Sequence, residues 1–318
     1  MCTSMTIMSM CVPNPNRTVF DLMQIETWLC PSAVADHERS RARVCVVIDV
    51  LRATTVITTA IAAGARSVTT CLDIEQAWEI KRNADPDNSP LLCGERACRP
   101  IEGFDYGNSP SEYSPAGVSG RELVMTTTNG TRAIEAASDC DVMMLACFAN
   151  LSAVADAIIS EMSVGSESSA APNRQSDATE QAGPTEQMAG SEPVQTSGRL
   201  RIVCAGTDGA VTGEDVLLAG ALIAVCHRKL SDTARFYEGP IDLVNDSGAI
   251  ALAAWQHCIT HDKVVDSDSL ARRLAMTDGG RNMVAAGYEQ DLVDCGSIDV
   301  FDSVPQRDRV SPARFVLR

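Results

Sequence analysis

The feature that most constrains the fold is a handover between two periodicities at residues 43–65. The run Val44-Cys45-Val46-Val47-Ile48-Asp49-Val50 is almost unbroken apolar sequence, rich in β-branched residues and suited to a strand buried on both faces. It passes directly into LRATTVITTAIAAGA, a helix-like stretch that stops at a glycine. A strand of this kind needs helices above and below it, and the rest of the chain supplies them. Strands are predicted at 68–72, 91–93, 123–127, 142–148 and 200–205, with helices at 74–83, 151–162 and about 214–230. Further helices follow at 243–258, 269–276 and 282–288, and a last strand at 298–301. Alternation of this sort predicts an α/β fold with a mostly parallel sheet covered on both faces.

The pattern lapses once. Between about 164 and 198 Ser, Ala, Glu, Gln, Gly and Pro take over, a composition that cannot bury a core and predicts a disordered low-complexity insertion. Apolar β/α pattern resumes on both sides, so the expectation is a single domain over 1–318 carrying a long loop; the alternative is a domain boundary at this stretch.

Of the 318 residues, 45% are hydrophobic and only 4% aromatic, which suits helix-on-sheet layers built from small aliphatic side chains. A formal charge of −16 repels a nucleic-acid backbone or an anionic membrane, so neither is an expected partner. A small anionic ligand is still permitted, because at a Debye length of roughly 8 Å a few arginines in a cleft outweigh distant carboxylates. Many of the 13 cysteines, among them Cys45, Cys147, Cys204 and Cys226, lie in apolar runs and read as free thiols of a reducing, cytoplasmic protein. Neither an export signal nor an apolar span of about 18 residues is found.

Ligands of α/β sheets bind beyond the carboxyl ends of strands, and these ends are unusually polar. One delivers Asp49 and then Arg52 and Thr54; another Glu95 and Arg96; a third Asn129, Gly130, Thr131 and Arg132; a fourth Gly206 and Thr207, with Glu214 and Asp215 opening the next helix. A loop carrying Asn108 and Ser109 lies between the second and third. Taken singly, each group has a capping or turn explanation. Together they combine hard oxygen donors of the kind Mg2+ accepts (Asp49, Glu214, Asp215) with guanidinium forks for oxyanions. A P-loop and a GxGxxG fingerprint are absent, which argues against an NTPase and a dehydrogenase, and a cysteine nucleophile is not expected.

The successive stretches IDVLRATT, GER, GFDYGNSP, TTTNGTRA, NLSAVA and CAGTDGAVTGEDVLLAGAL resemble, in that order, the motifs of the 2-phosphosulfolactate phosphatase family, and GGRNMVAAGYEQDLVDCGSIDVFDSVP extends the likeness. The resemblance implies a three-layer α/β/α fold, a homodimer, and Mg2+-dependent hydrolysis of (2R)-phospho-3-sulfolactate to 3-sulfolactate and phosphate, a step towards coenzyme M. The expected catalytic set is Asp49, Arg52, Glu95, Arg96 and Arg132. The expected substrate contacts are Thr54, Asn108, Ser109, Asn129, Gly130, Thr131, Gly206 and Thr207. The expected Mg2+ ligands are Asp49, Glu214 and Asp215. Asp49 stands open as nucleophile, ligand or base. The alternatives are a phosphatase for another phosphorylated 2-hydroxy acid and a non-catalytic anion-binding protein.

Overall fold

The computed structural model describes residues 22–31, 41–167, 198–231, 240–264 and 266–317. The expected disordered insertion at about 164–198 lies outside the described residues apart from its two ends. There the helix predicted to finish at 162 continues, as the full element is Leu151–Glu167.

Strands β1 (Met23–Trp28) and β2 (Ala42–Ile48) lead into helix α1 (Ala53–Ala62). β3 (Ser67–Cys71) and α2 (Ile74–Asn83) repeat the unit, followed by β4 (Leu91–Arg96), the two-residue β5 (Arg99–Pro100), the short α3 (Pro115–Val118), β6 (Glu122–Thr126) and α4 (Gly130–Ala136). β7 (Cys140–Ala146), α5 (Leu151–Glu167), β8 (Arg199–Cys204), α6 (Gly213–Leu230), β9 (Ile241–Leu243) and α7 (Asp246–Thr260) complete the α/β portion. Helices α8 (Ser267–Leu274), α9 (Asp278–Ala286) and α10 (Glu289–Cys295) then precede strands β10 (Pro305–Arg307) and β11 (Arg314–Leu317).

The described strands form one sheet of 11, in the order β5-β4-β6-β3-β11-β10-β7-β2-β8-β1-β9. Two blocks are parallel within themselves: β4-β6-β3, and β7-β2-β8-β1-β9. The C-terminal hairpin joins them, with β10 antiparallel to β7 and β11 antiparallel to both β10 and β3. The predicted strand at 298–301 is therefore displaced: those residues form no strand, and β10 and β11 close the sheet instead. β1 is not among the predicted strands, and its Gln24 and Glu26 alternate with the buried Met23 and Ile25. Glu26 is tolerated inside because Arg201 of β8 donates to it at 2.9 Å. The helix predicted at 243–258 begins later, at Asp246, since Ile241–Leu243 pairs with β1.

Side-chain alternation on β2 divides the core into layers. Val44, Val46 and Ile48 face one cluster with α5, α6 and α7, while Cys45 and Val47 face a second with α1 and α4. That second cluster also contains Val68 of β3, Leu123 and Met125 of β6 and Cys93 of β4, so both blocks of the sheet wrap around it. The wrap decides where the strand ends go. By strand parity the two blocks run in opposite senses, which in a flat sheet would put their carboxyl ends at opposite edges. From β2 to β6 there are five neighbour steps, and a twist of roughly −20 to −25° per step turns the strand direction by roughly 100–125°. Accumulated twist thus undoes much of the reversal, and the carboxyl ends of β2 and β6 converge.

Candidate active site

The β2 exit is held by its own turn. The Asp49 amide donates to Thr54 Oγ1 at 3.1 Å, Thr54 Oγ1 donates back to the Asp49 carbonyl at 2.9 Å, and the Ala53 amide donates to Asp49 Oδ1 at 3.3 Å. The Leu51–Arg52 peptide within this turn is cis. Thr54 Oγ1 is thus tied to the Asp49 backbone. Asp49 Oδ2 faces α4, where Gly130 leaves room for it. A Cβ at Gly130 would stand 2.9 Å from that oxygen and 2.7 Å from the Ala53 Cβ.

Asp215, at the start of α6, braces two strand ends at once. Its Oδ1 accepts the Val50 amide and its Oδ2 the Gly206 amide, each at 2.9 Å. Glu214 lies beside it, and its Oε2 is buried with no hydrogen-bond partner. The Glu214 carboxylate packs over Gly279 in the first turn of α9, where any Cβ would collide with it. Asp49, Glu214 and Asp215 are only 8%, 3% and 3% exposed. Burial raises the Asp49 carboxyl to about 7, helped by the negative charges of Glu214 and Glu95 and opposed by the Ala53 amide and Arg52. Burial also pushes Asp215 well above the carboxylate range, reinforced by Asp49 and Glu214.

Arg52 is the buried cation nearest this group. Its Nη1 donates to Asp291 Oδ2 of α10 at 2.5 Å and to Ser109 Oγ at 3.2 Å, and its guanidinium lies 4.4 Å from the centre of the Tyr288 ring. Asn108, next to Ser109, buries an amide oxygen with no partner.

The second block behaves differently. Glu95 Oε2 accepts the Cys98 amide at 2.8 Å, and its Oε1 accepts the Thr128 hydroxyl at 3.2 Å. Arg96 turns back on its own surroundings, donating to Thr126 Oγ1 and to the Glu95 carbonyl, each at 2.7 Å, and to the Leu72 carbonyl at 3.1 Å. Thr131 Oγ1 donates to the Cys71 carbonyl at 3.3 Å. Asn129 Oδ1 accepts the Asp208 amide at 3.2 Å, linking α4 to the tight turn in which the Thr207 amide donates to the Ala210 carbonyl. Arg132 is exposed and forms no ion pair with any described residue. The structure thus brings together Asp49, Arg52, Glu95, Glu214, Asp215, Ser109 and Gly130, and sets Arg96 and Arg132 apart.

Asp291, Tyr288 and Gly279 were not foreseen. One signal was available: in EQDLVDC, helical spacing places Asp291 on the face of buried Leu292 and Cys295, an odd position for a carboxylate without a task.

A model of the 2-phosphosulpholactate phosphatase family matches residues 29–168 and 189–309. The chain belongs to that family. Membership places it among phosphatases that act on phosphoric monoesters. A relative from Caldanaerobacter subterraneus subsp. tengcongensis, a "Probable 2-phosphosulfolactate phosphatase", is 32% identical over 89% of this chain and 95% of its own. Relatives carrying the same description from Symbiobacterium thermophilum and Thermotoga maritima are 33% identical over 84% of this chain and 92% of their own, and 32% over 83% and 88%.

The two matched segments together contain the strand ends at Asp49, Glu95, Gly130 and Gly206. Burial holds the Cys93 and Cys226 thiols up at about 12, which leaves no thiolate to act as nucleophile there. A cavity of about 640 Å³ lined by Arg41, Arg43, Asp141 and Arg307 lies at the amino ends of β2 and β7, the far end of those strands from Asp49. Its charges have local partners, as Arg41 pairs with Asp141 and Arg307 caps the Ser138 and Cys140 carbonyls. No helix among the described residues is long and apolar enough to cross a membrane.

Among the described residues no three His, Cys, Asp or Glu side chains form a ready-made cage for a metal ion. Mg2+ keeps several waters and typically takes one or two protein carboxylates plus substrate phosphate oxygens. The partnerless, buried Glu214 Oε2 and the free Asp49 Oδ2 are two such donors.

Proposed function

We propose that this protein catalyses Mg2+-dependent hydrolysis of a small, multiply anionic phosphate monoester, with (2R)-phospho-3-sulfolactate, giving 3-sulfolactate and phosphate, as its substrate. The observation that carries this reading is the pair Asp49 and Glu214: two buried, neighbouring carboxylates, neither in an ion pair with a described residue, with the Glu214 Oε2 lacking any hydrogen-bond partner. Stability alone does not account for such a pair, since burying like charges is costly unless a cation joins them.

Asp49 and Glu214 would hold the ion, and bound Mg2+ would polarise a phosphoryl oxygen and neutralise charge as it develops. Asp215 differs from the earlier expectation. With both oxygens on backbone amides, it is assigned to fixing the turn that carries Asp49. Arg52 donates to the equatorial phosphoryl oxygens. Asn108 orients the rest of the ester through its side-chain N–H groups. Water attacks phosphorus, the P–O ester bond breaks, and the departing alkoxide is protonated to the 2-hydroxy acid, leaving inorganic phosphate. Direct attack is favoured over an acyl-phosphate on Asp49, because Asp49 Oδ1 is tied to the Ala53 amide and Oδ2 is the oxygen left for the ion.

The test is phosphate release from a panel of phosphorylated 2-hydroxy acids, with and without EDTA. Rapid release from phosphosulfolactate that EDTA abolishes is expected. EDTA-insensitive release would remove the metal, and release confined to a carboxylate-only ester would change the substrate. A homodimer and a cytoplasmic setting, both implied by the resemblance, belong to the same proposal and are read by sedimentation equilibrium and cell fractionation.

A further inference from the structure

We infer that Asp291, contributed by the C-terminal helix α10, is a positioning residue for the reaction: it fixes the Arg52 guanidinium so that one edge faces the ester. This rests on the phosphatase reading above.

Arg52 is held from three elements. Asp291 Oδ2 takes Nη1 at 2.5 Å, Ser109 Oγ takes the same nitrogen at 3.2 Å, and the Ser109 hydroxyl donates to the same Oδ2 at 2.8 Å. Tyr288, three residues before Asp291, stacks on the guanidinium plane at 4.4 Å. Both charged side chains of the pair are almost wholly buried, at 3% and 4% exposed.

A pair built for stability alone would use the two-pronged geometry, in which the carboxylate takes two parallel N–H groups. Here Asp291 engages a single nitrogen. Nη2 and Nε donate to no described residue, and together they form the side-on edge of the guanidinium, with two parallel N–H groups suited to a phosphoryl group. The buried pair returns little stability for its desolvation. What it does supply is orientation: a long, flexible side chain is reduced to one pose, with its unused edge on the side away from Asp291. Near a reacting phosphoryl group, a misplacement of about 1 Å costs roughly 10²-fold in rate.

Kinetics and a direct view of the side chain test this together. Asp291→Asn keeps the shape and removes the charge. Expected is a loss in kcat of about 30- to 100-fold with KM changed less than about threefold. In an Arg52→Lys background, which cannot present the edge, the same substitution should cost less than about threefold further. Equal losses in both backgrounds would mean that Asp291 acts through folding, and would overturn the inference. Arginine side-chain 15N spectra give a readout independent of turnover: Arg52 should show separate Nη signals from hindered rotation in the wild type and averaged signals in Asp291→Asn. Unchanged signals would overturn the inference whatever the kinetics. If Asp291→Asn does not fold, Asp291→Glu, which keeps the charge and shifts it by one methylene, takes its place with the same expected outcomes. A wild type that hydrolyses no ester while its Arg52 signals respond to Asp291→Asn would sink the phosphatase reading and leave standing only that Asp291 fixes the Arg52 guanidinium.

Discussion

The two blocks of the sheet treat their charged side chains in opposite ways. In β7-β2-β8-β1-β9 two carboxylates at the carboxyl ends are buried and without an ion-pair partner: Glu214 Oε2 lacks any hydrogen-bond partner, and the Asp49 carboxyl is driven up to about 7. In β4-β6-β3 the corresponding groups are half-exposed and satisfied locally, as Glu95 and Arg96 are by their own turn and strand neighbours. Folding therefore explains the second set and fails to explain the first. Desolvated carboxylates without a counter-charge mark where something must bind, and a satisfied rim marks what lines the entrance.

The sharpest way to break this contrast is Asp49→Asn. The amide keeps an oxygen for the Ala53 amide and removes the charge, so turnover should fall by about 10³-fold or more. The metal-free protein should be no less stable, because an uncompensated buried charge has gone. Activity within tenfold of wild type, or a drop of several degrees in calorimetric Tm, would return Asp49 to a structural role.

Gly279→Ala probes the same block from the helical side. A methyl group there collides with the Glu214 carboxylate, while α9 itself gains from the better helix former. Turnover should fall by roughly 10- to 100-fold, with the Mg2+ concentration for half-maximal rate rising alongside it, on the scale seen when a ligand's supporting shell is disturbed. An unchanged Mg2+ titration would remove Glu214 from the metal.

The pH dependence of the metal-free protein follows from Asp49. Its folded pKa, about 7 against an ordinary 3.8, means that between these values the folded chain binds the extra proton. The contribution to stability is thus present at low pH, declines as pH rises from about 4 to about 7, and is flat above. Asp215, also raised, acts in the same sense. Tm in EDTA should be higher at pH 5.5 than at pH 8, and excess Mg2+ should restore it at pH 8. A Tm that rises with pH in EDTA would contradict the unrelieved burial on which the first block's role depends.

How much of this was legible in the sequence depends on what kind of information each feature uses. The buried strand β2 and its helix could be read because one local periodicity dictates them. The carboxylates at the β2 exit and the α6 start could be picked out because acids at a strand end or a helix start stand out. Neither source contains the accumulated twist that carries the β6 end over to Asp49, nor the hairpin β10-β11, whose strands of three and four residues are too short to show a period. Asp291 was hidden for a similar reason, since its partner lies 239 positions earlier. For Thr54, Thr131 and Gly206 the structure shows protein partners that the sequence could not reveal, because a hydroxyl or amide at a strand end looks the same whether it serves a ligand or the backbone.

Arg132→Ala is the smallest effect and tests the rim. Sequence motif alone ranks Arg132 with Arg52, since each follows a strand end. Their surroundings separate them: Arg52 is buried and clamped, whereas Arg132 is exposed and unpaired among the described residues. An exposed guanidinium is screened by salt and loses rotamer entropy when it engages, so its contact with a bound anion is a fraction of that of a preordered one. Arg132→Ala should therefore raise KM by about threefold, leave kcat within twofold, and lose even that effect at high ionic strength. A 10²-fold fall in kcat that salt does not soften would mean that β6 and α4 reach the reacting phosphoryl group directly, and the division between a binding block and a rim block would have to be redrawn around Arg132.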